Sequence, residues 1–323
     1  MTVLALPAHA KVNLTLRVVG RRPDGYHEID TVFHELDLHD LLVVEPAAGL
    51  ELVLDARAGI GMPVAAGDDN LVLRAARAYR DATGAAVRAR FTLRKRIPAG
   101  GGLGGGSADA AAALRLLDAL HGDRLGLPGL HPLAARLGAD VAFFLRGGTQ
   151  RGTGIGDVLT PLPHEALHFV LLFPSFGTAT AEVYKNVKAE LTRPGDPPRT
   201  LPHKGLWRSG TGLAMGFSND LEEPAMTAYP DLERLFRTLA VRHPDVRMSG
   251  SGSTLFLVRR SAAEADALAR TLAWLPGEGV RILRTRSRRW AGLRRVARPL
   301  ARAPRPPGRD VGGGGPGERG ERS

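Results

Sequence analysis

Alternating hydrophobic and polar residues predict β-strands in the first part of the chain. The aliphatic residues of Lys11–Val19 recur at every second position, so they share one face of a strand. The run Arg21–Tyr26, RRPDGY, contains Pro, Asp and Gly and predicts a tight turn. The aliphatic residues of that first face are Val12, Leu14, Leu16 and Val18. Further strands are predicted at Ile29–Leu38, Leu41–Glu45, Leu50–Asp55 and Val87–Lys95.

Helical patterns follow these strands. An amphipathic, capped helix is predicted at Asp69–Arg80, a second helix at Ser107–Leu120 and a short third one at His131–Leu137. The third leads into the apolar segment Gly138–Gly148, GADVAFFLRGG.

A second unit is predicted from about Pro163 onward. Strands and helices are mixed there without regular alternation, so the predicted fold class is α+β with two lobes rather than a doubly wound parallel sheet. We divide the chain into residues 1–160, residues 161–285 and a tail of residues 286–323. The elements predicted in the second lobe are strands at Phe169–Phe173, within Arg247–Arg259 and at Val280–Arg284, and helices at Asp231–His243 and Ala262–Leu275.

Composition narrows the class of protein. With 323 residues, 43% of them hydrophobic, the chain can bury a sizeable core. It contains no cysteine, which excludes disulfides and thiolate metal sites. We expect a cytoplasmic protein without a membrane partner, because no apolar run is long enough to cross a bilayer and the N-terminus MTVLALPAHAK does not resemble a signal peptide.

The net charge of +11 is concentrated at the C-terminus. Residues 281–323 hold 13 Arg and 3 acidic residues, so the remaining chain carries a net charge of only +1. We expect a disordered, solvated tail from about Pro299 onward. Attraction of this tail to RNA or to anionic lipid is the alternative interpretation.

A glycine run suggests phosphate binding. In Ile97–Leu117, IPAGGGLGGGSADAAAALRLL, six of the seven residues from Gly100 to Gly106 are glycine. A glycine-rich loop that feeds a helix directs backbone amides and the positive end of the helix dipole at an anion. Ser107 is the expected N-cap, with Asp109 in the first turn. A flexible linker is the alternative, but the strand before the run and the helix after it favour a phosphate loop.

Three common nucleotide-binding templates do not fit this loop. A P-loop needs a lysine before the closing Ser or Thr, and Gly106-Ser107 has none. A dinucleotide site needs an acidic residue at the end of the next strand, whereas Asp123 follows a helix directly. The motifs of protein kinases are missing.

Other segments point to a known family. Pro98–Ala111, PAGGGLGGGSADAA, resembles the second motif of the GHMP kinases. Ala10–Phe33 resembles their first motif in the form found in the 4-diphosphocytidyl-2-C-methyl-D-erythritol kinase family of isoprenoid biosynthesis. The resemblance covers about residues 5–285, and one departure is Ala142, where the family often has proline. Three further segments follow in that family's order: Leu137–Gly148, Ser218–Glu222 and Met248–Phe256.

The resemblance implies a fold and a reaction. The N-terminal lobe would resemble domain 2 of ribosomal protein S5, and the C-terminal lobe would be ferredoxin-like. The enzyme would use ATP with Mg²⁺ to phosphorylate the 2-hydroxyl of 4-diphosphocytidyl-2-C-methyl-D-erythritol in the non-mevalonate pathway. We expect a monomer or weak homodimer with no specific nucleic-acid partner. The alternatives are a homoserine or mevalonate-type kinase, against which Asp24-Gly25-Tyr26-His27 argues, and an RNA-binding protein that acts through the tail.

The same resemblance assigns the catalytic and nucleotide-binding residues. Asp140 would be the general base, although the residues alone favour a helix or strand cap. Lys11 would keep Asp140 ionised and neutralise the transferred phosphoryl group, whereas its position at the start of a predicted strand suggests a solvated lysine. The residues assigned to ATP are Pro98, Ala99, Gly100, Gly101, Gly102, Leu103, Gly104, Gly105, Gly106, Ser107 and Ala108.

Substrate-binding residues are also implied. Asn13 lies two residues after Lys11 on the same strand face. Tyr26 would stack on the cytosine, His27 would hydrogen-bond to it, and Tyr184 would cover it from the other lobe. An exposed rim is the alternative for the pair Tyr26 and His27. The resemblance also implies that the turn of Gly250, Ser251 and Gly252 closes around the phosphates or the substrate. An ordinary β-turn is the alternative.

The sequence predicts a metal ion with the nucleotide but none on the histidine pair of residues 34–39. The segment His34–His39, HELDLH, superficially resembles a zinc-protease motif, but its histidines are five apart in strand-like sequence. Their rings would therefore point to opposite faces, and we expect no metal on that pair. The expected metal is Mg²⁺ on the ATP phosphates, with few protein ligands, none of which the sequence assigns.

Overall fold

The computed structural model describes residues 3–55, 67–188, 216–275 and 279–288. They form two β-sheets with helices, which confirms the predicted α+β class with two lobes. Within these ranges, no helix combines the length and the apolar character that crossing a bilayer requires. The predicted tail disorder concerns residues beyond 288, which lie outside the described ranges.

The first sheet is built on a long antiparallel hairpin. Strand β1 covers Leu4–Arg21, strand β2 covers His27–Pro46, and the predicted turn joins them. The prediction of two separate strands between residues 29 and 45 is wrong, because β1 pairs with β2 along its whole length, from Leu4 with Val44 to Arg21 with His27. The other strands of this sheet are β3 (Glu51–Leu54), β4 (Ala89–Arg94), β5 (Thr149–Thr153), β6 (Val158–Pro161) and β8 (Ser218–Asn219).

Four helices and this sheet enclose a core rich in Ala, Leu and Phe. The helix predicted at Asp69–Arg80 is confirmed as α1, whose N-cap Asn70 accepts a hydrogen bond from the amide of Val72. The predicted start of the next helix is wrong, because α2 begins at Gly105 and its N-cap is Gly104, not Ser107. The helices are α1 (Leu71–Thr83), α2 (Gly105–Leu120), α3 (Gly126–Leu137) and α4 (Ala139–Arg146).

The second sheet contains four antiparallel strands in the order β11-β7-β10-β9. The apolar strand predicted at Phe169–Phe173 is its buried β7. The strands are β7 (His168–Pro174), β9 (Arg247–Met248), β10 (Leu255–Arg259) and β11 (Val280–Arg286). The helices of this lobe are α5 (Thr180–Lys185), α6 (Glu222–Ala228), α7 (Pro230–Arg242) and α8 (Ala262–Thr271).

The two lobes share a hydrophobic cluster. Ala10, Val12 and Leu14 from β1 lie in one cluster with Phe169 of β7 and Phe256 of β10. Strand β8, which follows the second lobe's α5 in the chain, pairs with β1 in the first sheet. Neighbours from both lobes enclose the middle of β1, so His9, Lys11, Asn13 and Thr15 are buried there as well as the aliphatic residues. The division of the chain at residues 160 and 161 stays a prediction.

Candidate active site

A cavity of about 1570 Å³ lies where the glycine loop, β1, the β1–β2 turn and α5 meet. It brings together most residues that the sequence assigned to the site. Ala108 is buried in α2, and neither it nor Gly252 lines the cavity. The assigned residues that do line it are Lys11, Asn13, Tyr26, His27, Pro98, Ala99, Gly100, Gly101, Gly102, Leu103, Gly104, Gly105, Gly106, Ser107, Asp140, Tyr184, Gly250 and Ser251.

The glycine loop turns directly into the uncapped end of α2. Gly104 has a φ of 69°, in the left-handed region, and no side chain caps the helix. The amides of the first helical turn therefore keep their capacity to donate hydrogen bonds. A Cβ on Gly104 would lie 2.7 Å from the ring of Phe144 and 3.3 Å from Cε of Lys11, so only glycine fits this close approach. An uncapped helix start lining a cavity is an anion site.

The second lobe holds the loop by its carbonyl oxygens. The amide of Thr178 donates to Gly100 O at 3.4 Å, and the amide of Thr254 donates to Gly101 O at 3.3 Å. Oγ of Ser249 donates to Gly102 O at 3.0 Å. Since these contacts engage the carbonyls, the loop is fixed without engaging the helix amides that line the cavity.

Lys11 is a buried cation in the middle of β1, only 3% exposed. Its Nζ donates to Asn13 Oδ1 at 2.7 Å and to Gly102 O at 3.0 Å, and lies 3.5 Å from Asp140 Oδ2. The interpretation of Lys11 as a solvated residue at a strand end is wrong. Nδ2 of Asn13 donates to Oγ1 of Thr31 at 2.7 Å, which orients its oxygen towards the lysine.

Asp140 lies in the first turn of α4, where a carboxylate interacts favourably with the helix dipole. Gly138 is the N-cap of that helix, so the interpretation of Asp140 as the cap is wrong. Its side chain is 31% exposed and lines the cavity. The carboxylate is thus accessible to a bound molecule while it contacts Lys11.

Aromatic residues from both lobes meet at another part of the cavity. The rings of His27 and Tyr184 stack, with their centroids 5.0 Å apart and their planes inclined by 29°. Burial, and then Arg21, lowers the pKa of His27, so its ring favours the neutral form, which can both donate and accept a hydrogen bond. Burial, followed by the nearby charge of Asp140, raises the pKa of Tyr184 to about 12. Tyr26 is 62% exposed and offers a free ring face.

The turn at residues 250–252 faces the lysine. A Cβ on Gly250 would lie 3.3 Å from Asn13 Oδ1 and 3.4 Å from Lys11 Nζ, so its backbone closes this side of the cavity. Nδ2 of Asn219 donates to Gly250 O at 2.7 Å. Oγ of Ser251 bonds to Oγ1 of Thr180 at 2.8 Å.

Comparison with known proteins places this geometry in a family. A 4-diphosphocytidyl-2-C-methyl-D-erythritol kinase from Pelotomaculum thermopropionicum is 40% identical over 265 residues, which are 79% of this chain and 88% of the relative. One from Xanthobacter autotrophicus is 40% identical over 289 residues, 86% of this chain and 97% of the relative. The chain belongs to this kinase family.

Family descriptions and solved structures agree with this assignment. Residues 70–148 match the GHMP kinases N terminal domain and residues 209–274 the GHMP kinases C terminal domain. A crystal structure of 4-(cytidine 5'-diphospho)-2C-methyl-D-erythritol kinase is 37% identical, with a TM-score of 0.71 over 88% of this chain and 99% of its own. Homoserine kinase from Cytophaga hutchinsonii, 17% identical with a TM-score of 0.63 over 89% of this chain and 95% of its own, shares the fold. The protein is therefore a kinase of the GHMP class.

An ionic cluster beside the loop of this kinase was not predicted. Nζ of Lys95, which directly follows β4, contacts carboxylates of Asp40 on β2 and, at 2.8 Å, of Asp109 on α2. Asp40 also accepts a hydrogen bond from the amide of Ile97 at 2.8 Å, so the cluster ties both ends of the loop to β2. The placement of Asp109 in the first helical turn is wrong. Burial, and then the neighbouring charge of Asp40, raises the pKa of Asp109.

Proposed function

We propose that this protein transfers the γ-phosphoryl group of ATP to the 2-hydroxyl of 4-diphosphocytidyl-2-C-methyl-D-erythritol. The products are the 2-phosphate and ADP, in the non-mevalonate route to isoprenoid precursors. One observation carries the proposal: Lys11 Nζ lies between Gly102 O of the glycine loop and the carboxylate of Asp140, at 3.0 and 3.5 Å. A cation and a carboxylate next to the glycine loop and the start of α2 support this assignment.

Proton transfer and charge neutralisation are the tasks of these two side chains. Asp140 accepts the proton of the substrate hydroxyl as its oxygen attacks the γ-phosphorus and the bond to the ADP oxygen breaks. Lys11 neutralises negative charge on the transferred group, and its burial strengthens this interaction because little water screens it. The hydrogen bonds to Asn13 and Gly102 hold the ammonium in place before substrate arrives.

The amides at the start of α2 bind the phosphates of the nucleotide. Gly105, Gly106 and Ser107 form the first turn of that helix and line the cavity, and no side chain caps the helix. The left-handed glycines bring the backbone close enough for several amides to reach one anion.

The residues beside the loop also fit Mg²⁺. This cation prefers oxygen ligands, retains several waters and binds substrate phosphates. Ser107, which lines the cavity at the start of α2, would hold it together with the ATP phosphates, whereas the carboxylates of Asp40 and Asp109 are bound to Lys95. When bound, Mg²⁺ neutralises charge on the ATP phosphates.

The aromatic residues recognise the cytidine. Tyr26 stacks on the base, and Tyr184 covers the base from the second lobe. The neutral ring of His27 matches the mixed donor and acceptor edge of cytosine. A homoserine or mevalonate derivative has no nucleobase that could bind between these aromatic residues.

The proposal is tested by turnover of defined substrates. The full-length protein is incubated with ATP, Mg²⁺ and either 4-diphosphocytidyl-2-C-methyl-D-erythritol, homoserine or mevalonate. We expect ADP release only with the first, and phosphorus NMR of the product should place the new phosphate on the 2-oxygen. Equal rates with homoserine or mevalonate would refute the substrate assignment, and no ADP release with any alcohol would refute the kinase proposal.

A further inference from the structure

Three potential metal ligands meet on the first hairpin, outside the cavity. His9 on β1 and His39 on β2 are directly paired across the two strands, with ring centroids 5.0 Å apart. One ligand atom from each of His9, Asp37 and His39 lies within 4.8 Å of the other two. His34 is not part of the group, because Ser287 and Thr149 bond to its two ring nitrogens.

An irregularity of the strand pair places Asp37 in this group. His9 pairs with His39, but Lys11, two residues later, pairs with Glu35, so β2 uses two additional residues over this interval. Such bulges bend the strand and redirect side chains. The carboxylate of Asp37 consequently lies beside the pair of imidazoles.

The hydrogen bonds of both imidazoles leave the same atom available. Nδ1 of His9 lies 3.0 Å from Leu36 O, and Nδ1 of His39 lies 2.7 Å from Asp37 O. A carbonyl oxygen only accepts hydrogen bonds, so Nδ1 carries the hydrogen in each ring and Nε2 of the neutral ring carries a lone pair. Histidines that bind metals are oriented in the same way by a carbonyl behind the ring.

His9 Nε2 has no hydrogen-bond partner among the described residues, although the residue is only 7% exposed. Burial above all, and then the charges of Arg288 and His39, lowers the pKa of His9 to about 3. A buried lone pair without a partner is unfavourable. A cation would satisfy it.

Asp37 is held loosely by two arginines. Its oxygens lie 3.4 Å from Nε of Arg286 and 3.6 Å from Nη1 of Arg288. Both distances exceed the roughly 2.7–2.9 Å of a strong charged hydrogen bond. The carboxylate is partly exposed, at 39%. It can therefore turn to a cation in exchange for these weak contacts.

We propose that His9, His39 and Asp37 bind one divalent cation of the zinc type. Two imidazole nitrogens and one carboxylate oxygen match the preference of Zn²⁺ and Co²⁺, and water completes the tetrahedron. Mg²⁺, which prefers oxygen, is excluded from this donor set. Because the ligands come from both strands of the hairpin, a bound cation clamps β1 to β2 next to Lys11.

Cobalt titration of the full-length protein without nucleotide tests this site directly. Tetrahedral Co²⁺ absorbs visible light far more strongly than the aqueous ion. We expect this absorption to saturate at one Co²⁺ per chain, to be displaced by Zn²⁺ and to be unaffected by Mg²⁺. We also expect Zn²⁺ to raise the Tm. A spectrum that remains that of aqueous Co²⁺ would overturn the proposal.

Variants identify the ligands. His39→Gln should abolish the cobalt absorption, and Asp37→Asn should weaken cobalt binding at least roughly tenfold. His9→Gln keeps a donor for Leu36 O and should also abolish the absorption. His243→Gln, a change of a partly exposed histidine in the second lobe, is the matched control and should bind cobalt normally. If His9→Gln does not fold, the other two variants decide, and unchanged binding in both of them refutes the site.

Discussion

Lys11 contacts most of the groups to which a role in the reaction is assigned. A lysine in the middle of a buried strand is costly unless its charge is paired and hydrogen-bonded. Here Asn13, Gly102 and Asp140 surround the ammonium, and the ring of Phe33 lies 5.6 Å from it. Each partner is also a part of the proposed reaction site. The contacts that stabilise the buried charge are therefore the same contacts that hold it in position for the reaction.

Asp140→Asn tests the proposed base. The amide keeps the size of the side chain but cannot accept a proton, so kcat should fall by about 10²–10⁴-fold while the KM for ATP changes little. Steady-state kinetics and nucleotide titration measure these two effects. The control is Asp81→Asn, the same change on the exposed surface of α1, which should leave kcat unchanged. A near-normal kcat in Asp140→Asn would exclude this residue as the base.

Tyr26→Ala tests the proposed stacking. Loss of a base–aromatic stack of about 1–3 kcal/mol should raise the KM for the cytidyl substrate roughly 5- to 150-fold, with kcat largely kept. Tyr26→Phe retains the ring and should behave like the native protein. Initial-rate kinetics with both variants measure the difference. A defect confined to kcat would contradict a role in binding the base.

At the scale of elements, the glycine loop has little stability of its own and depends on its attachments. The second lobe contacts its carbonyls, and the cluster of Asp40, Lys95 and Asp109 joins the end of β4 to the beginning of α2. Burial lowers the pKa of Lys95, but the two carboxylates outweigh this effect and the net shift is upward. The lysine is thus a charged link between elements.

Lys95→Met should destabilise the fold strongly. The change leaves two buried carboxylates without a cation, which costs about 3–5 kcal/mol of unfolding free energy. Arg90→Met, on the preceding strand β4, removes surface ion pairs with Glu45 and Glu51 and should have little effect. Urea unfolding of both variants measures the contrast. Equal stabilities would show that the cluster contributes nothing net.

At the scale of the whole molecule, the two sheets meet along a narrow polar seam beside the shared hydrophobic cluster. Backbone O of Glu35 accepts from the amide of Arg288 at 2.9 Å, and Leu36 pairs with Ser287. Oε2 of Glu35 accepts from the amide of Gly148 at 2.8 Å. Burial raises the pKa of Glu35 to about 7 in spite of this hydrogen bond.

This shift makes stability depend on pH. The folded protein retains the Glu35 proton between the ordinary pKa of 4.5 and about 7, whereas the unfolded chain releases it. The stabilisation is present below pH 4.5 and lost as the pH rises through 7. Between about pH 5 and about pH 8, ionisation of Glu35 should therefore lower the free energy of unfolding by about 2–3 kcal/mol. Glu35→Gln should reduce the pH dependence of urea unfolding by that amount. Glu28→Gln, an exposed position on the same strand, should not change it.

Removal of the C-terminal segment tests whether the basic charge serves the reaction. All residues assigned here to catalysis and binding lie between Lys11 and Gly252, so a chain truncated before residue 299 should retain kinase activity. Turnover assays and circular dichroism of the truncated and full chains provide the comparison. Loss of turnover with an intact fold would show that the segment contributes to the reaction and would contradict its interpretation as a solvated tail.

Local sequence was sufficient for features that depend on neighbouring residues. The alternation in β1, the turn RRPDGY, the capped helix α1 and the class of the fold were predicted, because side-chain periodicity and turn chemistry act over a few residues. The glycine loop before α2 was recognisable for the same reason. The resemblance to GHMP kinases, and not periodicity, selected Lys11 and Asp140 as partners.

Tertiary structure decided what depends on distant parts of the chain. The contact of Lys11 with Gly102 spans 91 residues, and that of Asp40 with Lys95 spans 55, so no local pattern reveals either. Helix α2 could begin at Gly105 rather than Ser107 because packing against Phe144 and the lysine stem sets the path of Gly104. The group of His9, Asp37 and His39 arises only from strand register and a bulge. Burial and pairing between distant segments, which alone decide which charges meet, are properties of the folded chain.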